Sequence, residues 1–174
     1  MKKILFILTI ALFSFSAIAQ SEKENRGYTV KVGDNAPNFT IKYLDGKTAQ
    51  LSDLKGKIVM LQFTASWCSV CRKEMPFIES DIWQKHKNNK DFVLIGIDLE
   101  ENAETIKKFI KATKITYPIV LDEDGKIFSL YTEKDAGVTR NILINKDGKI
   151  VFLTRLYDET EFSNLKENIN KLLK

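Results

Sequence analysis

The chain has 174 residues, 44% of them hydrophobic and 29% charged, which is enough for one globular domain and no more. Its formal net charge of +4 includes Lys2 and Lys3, and the remaining lysines are scattered among acids. That pattern is a mixed, solvated surface and excludes the basic stripe of a nucleic-acid-binding protein. The chain opens with Met1-Lys2-Lys3, an apolar run over 4–15, and Ala17-Ile18-Ala19-Gln20. A positive start, a short apolar stretch and small residues flanking Ile18 read as a signal peptide over 1–19, cleaved near Ala19. The run is short against the roughly 20 residues that span a bilayer. The mature chain is therefore expected outside the cytoplasm, in the bacterial periplasm, touching a membrane only if the signal segment is retained. Residues 20–31 are polar and read as a flexible leader, and 32–174 as the folded domain.

Within that domain, alternating residues 39–43, the turn Asp45-Gly46 and residues 48–51 predict a β-hairpin. Residues 58–63 are nearly continuous apolar side chains, as in a strand buried on both faces. From 68 to 87 the spacing is helical: Cys68, Cys71, Met75, Ile78 and Ile82 fall on one stripe. Pro76 lies inside this helix and is expected to kink it. Residues 92–98 read as a second buried strand, 103–113 as an amphipathic helix, 119–121 as a short strand and 126–131 as a short helix. Two strands, 142–144 and 150–153, flank the hairpin signal Asp147-Gly148, and 159–173 closes the chain as a helix. Strand–helix–strand connections give parallel neighbours and the late hairpin adds antiparallel ones. The fold class is α/β, a mixed central sheet flanked by helices with an N-terminal hairpin.

There are two cysteines, Cys68 and Cys71. A disulfide closing so short a loop restrains the unfolded chain by only roughly 2 kcal/mol before strain. Such a pair serves better to make and break a bond than to staple a fold. A structural zinc site wants four ligands, and beyond the two cysteines only His86 offers the usual chemistry. No metal or other cofactor is expected beyond the redox-active pair itself. Cys68 sits where the buried strand meets a helix N-terminus, whose free N–H groups and dipole favour a thiolate. Cys68 is thus the candidate nucleophile, and Cys71, one turn further in, the resolving thiol.

The stretch Phe63-Thr64-Ala65-Ser66-Trp67-Cys68-Ser69-Val70-Cys71-Arg72-Lys73-Glu74-Met75-Pro76 resembles the active-site region of TlpA/ResA-type thioredoxin-like proteins, within the broader redoxin group. The resemblance extends through Gly33-Asp34-Asn35-Ala36-Pro37, Leu51-Ser52-Asp53-Leu54 and Ile142-Leu143-Ile144 to the C-terminus. It implies a thioredoxin-like fold and an extracytoplasmic oxidoreductase that reduces disulfides in client proteins, fed by a membrane thiol reductant. It carries Trp67, Cys68 and Cys71 across directly and aligns Glu74 with an acid thought to tune the thiols. The plainer reading of Glu74 is a first-turn carboxylate favoured by the helix dipole.

The sequence departs from the thioredoxin pattern in four places. Thr139, between Val138 and Arg140, stands where thioredoxin-like proteins carry a cis-proline opposite the cysteines, so the bond before it is either a costly non-proline cis or trans. Gln62 replaces thioredoxin's buried aspartate. The residues between the cysteines are Ser69 and Val70, with no proline, and residues 131–138 form a loop about two residues longer than usual. Trp67, Val138, Thr139 and Arg140 are the expected client-binding surface. Two roles are open to Arg140: stabilising a thiolate at Cys68, or pairing with Glu74. Asp98, Glu100 and Glu101 end the second buried strand and read as a solvated loop rather than a cation site. The competing functions are a peroxiredoxin-like thiol peroxidase, a disulfide oxidase or isomerase, and a redox-inert binding module.

Overall fold

The computed structural model describes residues 26–174. The signal segment and the first residues of the leader lie outside the described residues. In chain order the elements are β1 (Thr40–Lys42), β2 (Thr48–Gln50), β3 (Ile58–Thr64), α1 (Ser69–Ile78), β4 (Phe92–Leu99), α2 (Ala103–Thr113), β5 (Ile119–Asp122), α3 (Lys126–Tyr131), β6 (Arg140–Ile144), β7 (Ile150–Arg155) and α4 (Glu159–Leu172).

The main sheet has the order β5-β4-β3-β6-β7. Strand β3 is central, parallel to β4 and antiparallel to β6, and every one of its residues is buried. A strand paired on both edges and covered on both faces has nowhere to place polar side chains, which is why its sequence is almost continuously apolar. Strand β5 runs parallel to β4, and β7 antiparallel to β6. The expected mixed α/β, thioredoxin-like architecture is therefore present.

The crossovers β3-α1-β4 and β4-α2-β5 step the same way across the sheet, so right-handed connections put α1 and α2 on one face. Helix α4 packs beside α1 there, with Phe162 6.4 Å from Phe77. The opposite face is covered by α3 and the β1–β2 hairpin: Phe63 meets Phe128 at 5.4 Å and Tyr131 at 5.8 Å, and Phe39 meets Tyr131 edge-on. A bridge from Tyr43 to Val120 pins the hairpin to β5.

Three local features differ from the sequence expectation. The long helix is divided: α1 continues through a π-turn, Glu79–Trp83, into a final helical turn, Gln84–His86. The Gln84 N–H reaches back to Glu79 O, five residues earlier. Pro76 lies in α1 just upstream, where it lacks an N–H to donate and crowds the preceding turn. After β2 the chain turns into a short 3-10 helix, Leu51–Leu54.

The third difference is the leader, whose residues from Arg26 onward pack onto the domain. Tyr28 is buried and donates its hydroxyl to Thr154 O, and its backbone bridges Thr132. Arg26 forms a two-pronged ion pair with Glu161 of α4. The polarity of this stretch hid a single aromatic anchor. The segment after α3 supplies the Thr132 that pairs with it.

Candidate active site

Cys68 is the N-cap of α1, with an extended backbone, and its Sγ accepts the N–H of Cys71 at 3.1 Å. Cys68 and Cys71 are joined as a disulfide. Cys71 is fully buried, while Cys68 keeps a small exposed area. The N–H that now points at Sγ would support a thiolate there, as unpaired donors at a helix start do.

The turn leading into Cys68 is held from three directions through Ser66. Glu101 accepts from the Ser66 backbone N–H at 2.6 Å and from its hydroxyl at 2.5 Å. Arg72 Nε donates to Ser66 O at 2.7 Å, and its guanidinium lies over the Phe109 ring of α2. Trp67, clamped between these contacts and the disulfide, is two-thirds exposed.

Opposite the disulfide lies the loop before β6. Thr139 is buried, with its hydroxyl 3.2 Å from Cys68 Sγ and 3.2 Å from Cys71 Sγ. Disulfide sulfurs carry no hydrogen, so in this state the hydroxyl is the donor. The bond before Thr139 is trans. Thr139 O accepts from the N–H of Leu156, an exposed residue held at φ +62° just after β7. Val138 is buried, so of the four residues expected at a client surface only Trp67 presents a large exposed side chain.

Arg140 takes neither role left open for it by sequence. Along β6 its side chain and that of Asn141 point to opposite faces, and Arg140 projects away from α1. It is fully buried, donating to Gly137 O at 2.9 Å and to Arg26 O at 2.9 Å, with its guanidinium 4.3 Å from the Tyr28 ring centre. Gly27 must be glycine here: its φ is +76°, and a Cβ would come within 2.8 Å of the Arg140 guanidinium. Arg140 therefore braces the Thr139 loop from behind.

Glu74 is also corrected in part. It is not in the first turn of α1, where no acid stands, but further along and buried against the sheet. Asn141 Nδ2 donates to Glu74 Oε1 at 2.7 Å and to Thr154 Oγ1 at 3.0 Å. Burial, opposed by the Asn141 and Gln62 amides, raises the Glu74 carboxyl to about 7. Gln62 accepts from the Tyr117 hydroxyl at 2.7 Å. Sequence reasoning noticed Gln62 but missed Asn141, although each is a polar residue beside an apolar run.

The acids at the end of β4 are not one solvated loop, since Asp98 lies within the strand. Asp98 is fully buried, and burial, with Glu101 beside it, pushes its carboxyl up to about 8. His86 is half-buried against the Phe92 ring, and burial lowers its pKa. Among the described residues no group of three or more His, Cys, Asp or Glu side chains is placed to hold a metal ion.

Residues 31–169 match the family model described as Redoxin, most of the chain. The chain belongs to the redoxin family. It is 37% identical over 122 residues to a thiol-disulfide oxidoreductase ResA of Bacillus cereus, covering 70% of this chain and 68% of that one. It is 33% identical over 145 residues to ResA of Bacillus thuringiensis subsp. konkukian, covering 83% and 78%. Its structure matches that of a provisionally named protein disulfide isomerase from Bacteroides thetaiotaomicron, with TM-score 0.82, 60% identity, and 84% and 92% of the two chains covered. It also matches the thioredoxin domain of a thiol-disulfide oxidoreductase from Bacteroides vulgatus, with TM-score 0.70, 28% identity, and 84% and 100% covered. With the Cys68–Cys71 pair at a helix N-terminus, this redoxin is a ResA-like thiol–disulfide oxidoreductase.

Proposed function

We propose that this redoxin acts outside the cytoplasm as a reductant of disulfides in exported client proteins, with Cys68 as nucleophile and Cys71 as resolving thiol. The observation that carries the reading is the asymmetry of the pair: Cys68 caps α1 and keeps a small exposed area, and Cys71 is fully buried one turn behind it. In the reduced protein the Cys68 thiolate attacks a client disulfide, forms a mixed disulfide and releases one client sulfur as a thiolate. Cys71 then gives its proton to the Glu74 carboxylate and attacks Cys68 Sγ. The second client sulfur leaves with the bonding electrons, the client is reduced by two electrons, and the Cys68–Cys71 disulfide forms. A dithiol donor on the membrane returns the pair to the reduced state. Trp67 and the loop of Val138 and Thr139 form the docking surface, with Arg140 acting from behind. The secretory reading of residues 1–19 supports the location, and among the described residues no helix is long and apolar enough to cross a membrane.

A second reading, disulfide oxidation or isomerisation, is favoured by the name given to the 60%-identical Bacteroides thetaiotaomicron protein. Arg140 faces away from the thiols into the Tyr28 pocket, where it cannot sit over a peroxide at Cys68 or Cys71, and this speaks against the peroxidase reading. The test is the midpoint potential of the Cys68–Cys71 pair in graded glutathione buffers, read by counting free thiols. A value at or below about −220 mV fits a reductant, and one near about −120 mV makes the protein a disulfide donor. In parallel, Cys71→Ser is expected to accumulate a mixed disulfide through Cys68, and Cys68→Ser to abolish exchange.

A further inference from the structure

Beneath Cys71, the sheet carries a row of polar side chains where an apolar core is the rule. Gln62 on β3 pairs in register with Asn141 on β6, and Asn141 with Thr154 on β7, so all three project to the face covered by α1. On the other side of Gln62 the register partner is Gly96, where a Cβ would lie 2.1 Å from Ile119 Cδ1 and 3.4 Å from Tyr117 Cε2. The missing side chain makes room for Ile119, and the Tyr117 ring passes beside it at contact distance, with its hydroxyl 2.7 Å from Gln62 Oε1. Gln62, Asn141 and Thr154 are buried, as is Tyr117.

The row meets one charged group, Glu74 of α1, which is only 1% exposed. Asn141 Nδ2 is bonded to Glu74 Oε1 at 2.7 Å and anchored by Thr154 Oγ1 at 3.0 Å. With Gln62 Oε1 occupied by Tyr117, its Nε2 is the free end, and it acts on Glu74 from the other side. Glu74 Oε2 and Gln62 Nε2 each lack a hydrogen-bond partner, so Gln62 acts on the carboxyl from nearby without closing a bond to it. Around the carboxyl stand the neutral amides of β3 and β6 and, beyond them, the Thr154, Tyr117 and Tyr157 hydroxyls, with Cys71 three residues earlier on the same helix. None of these is a cation. A buried carboxylate without a cation depends on amide donors for its charge.

We infer that Asn141 is a positioning residue for the thiol chemistry. Working with Gln62, it clamps the Glu74 carboxyl along the stripe that carries Cys71, and so sets Glu74's proton affinity and through it the proton exchange of the resolving thiol. The inference rests on the reading of Glu74 as the proton partner of Cys71. Thr154 and Tyr117 anchor the two amides through these contacts, and the carboxylate, which only accepts, selects the NH2 end of Asn141.

The test uses the reduced full chain. The Glu74 titration is followed by carbon NMR of glutamate-labelled protein, and the pH profiles of Cys68 and Cys71 alkylation by mass spectrometry. Asn141→Leu keeps bulk and removes the donor, and Asn141→Ser is too short to reach Glu74 and guards against a misfolded leucine variant. Both are expected to raise Glu74's proton affinity about tenfold or more, and to move the Cys71 profile with it. In a Glu74→Gln background neither substitution is expected to move the Cys71 profile. A folded Asn141 variant whose Glu74 midpoint stays within twofold of the parent overturns the clamp, because a residue that merely packs would lower stability without moving a titration. A Glu74→Gln protein with unaltered thiol profiles overturns instead the underlying role of Glu74, whatever Asn141 does.

Discussion

The Thr139 hydroxyl sits 3.2 Å from Cys68 Sγ and equally far from Cys71 Sγ, on the loop where related folds place a proline. A proline has no donor to offer. Here the same position carries one, and when the disulfide opens it is aimed at the Cys68 thiolate alongside the N–H of Cys71. A hydrogen bond to a charged group is worth about 1.5–3 kcal/mol, and each 1.36 kcal/mol is about tenfold in thiolate population. Thr139→Val, which keeps the shape, is therefore expected to raise the Cys68 pKa and slow its alkylation at pH 7 about tenfold. The pH dependence of iodoacetamide labelling reads this directly. An unshifted profile would assign the thiolate's stability to the helix terminus alone.

Ser66 gives its backbone N–H and its hydroxyl to Glu101, and its carbonyl accepts from Arg72, so one residue ties β3, α1 and the segment after β4 together ahead of Cys68. Glu101→Ala strands the Ser66 N–H in a partly buried turn. The expected cost is about 1–3 kcal/mol, seen as a lower urea midpoint. Glu101→Gln keeps an acceptor oxygen and should fall between. If the alanine variant unfolds at the parent's midpoint, the turn is held by Arg72 and the backbone alone.

Tyr28 fixes the start of the domain. Its ring packs under the Arg140 guanidinium at 4.3 Å and its hydroxyl is bonded to Thr154 O. Replacing a buried aromatic by alanine typically costs about 3–5 kcal/mol. Here it also leaves Arg140, which holds Gly137 O beside Thr139, without its cover. Tyr28→Ala is expected to lower stability by that amount and to broaden the NMR resonances of residues 137–140. A variant as stable as the parent would mean that residues 26–29 lie on the domain without contributing to it.

Much of this arrangement is legible in the sequence because it rests on local, periodic signals. The apolar run at β3, the 3-and-4 spacing from Cys68 to Ile82, the Asp147-Gly148 turn and the cysteine spacing each follow from one stretch of chain. The contacts that are not legible join residues far apart. Adjacency to Thr139 suggests that Arg140 lies near Cys68, but alternation along β6 sends its side chain to the other face. Glu74 can be placed on α1, but not its partner Asn141, 67 positions away. Tyr28 is lost in a polar leader because a single aromatic has no periodicity. Asp98 looks like part of a solvated acidic turn because sequence cannot say where a strand's last buried residue falls.

That burial of Asp98 gives the protein a pH dependence with a definite sign. A free aspartate releases its proton near 3.8, and burial, with Glu101 nearby, holds Asp98 protonated to about 8. Below about pH 4 both the folded and unfolded forms carry the proton, and the folded state has its full stability from this site. Between the two values unfolding releases a proton, so stability falls as pH rises and levels off above about 8. Glu74, raised from 4.5 to about 7, adds a fall of the same sign over a narrower window. Asp98→Asn keeps the neutral shape at every pH, and its amide can donate to Glu101. The variant is expected to match the parent near pH 4, exceed it at pH 8, and lose about one proton from the slope between. Urea midpoints measured at pH 4, 6 and 8 for the parent, Asp98→Asn and Glu74→Gln separate the two sites. Parallel curves for the parent and Asp98→Asn would mean that Asp98 is ionised in the fold and has found a partner for its charge.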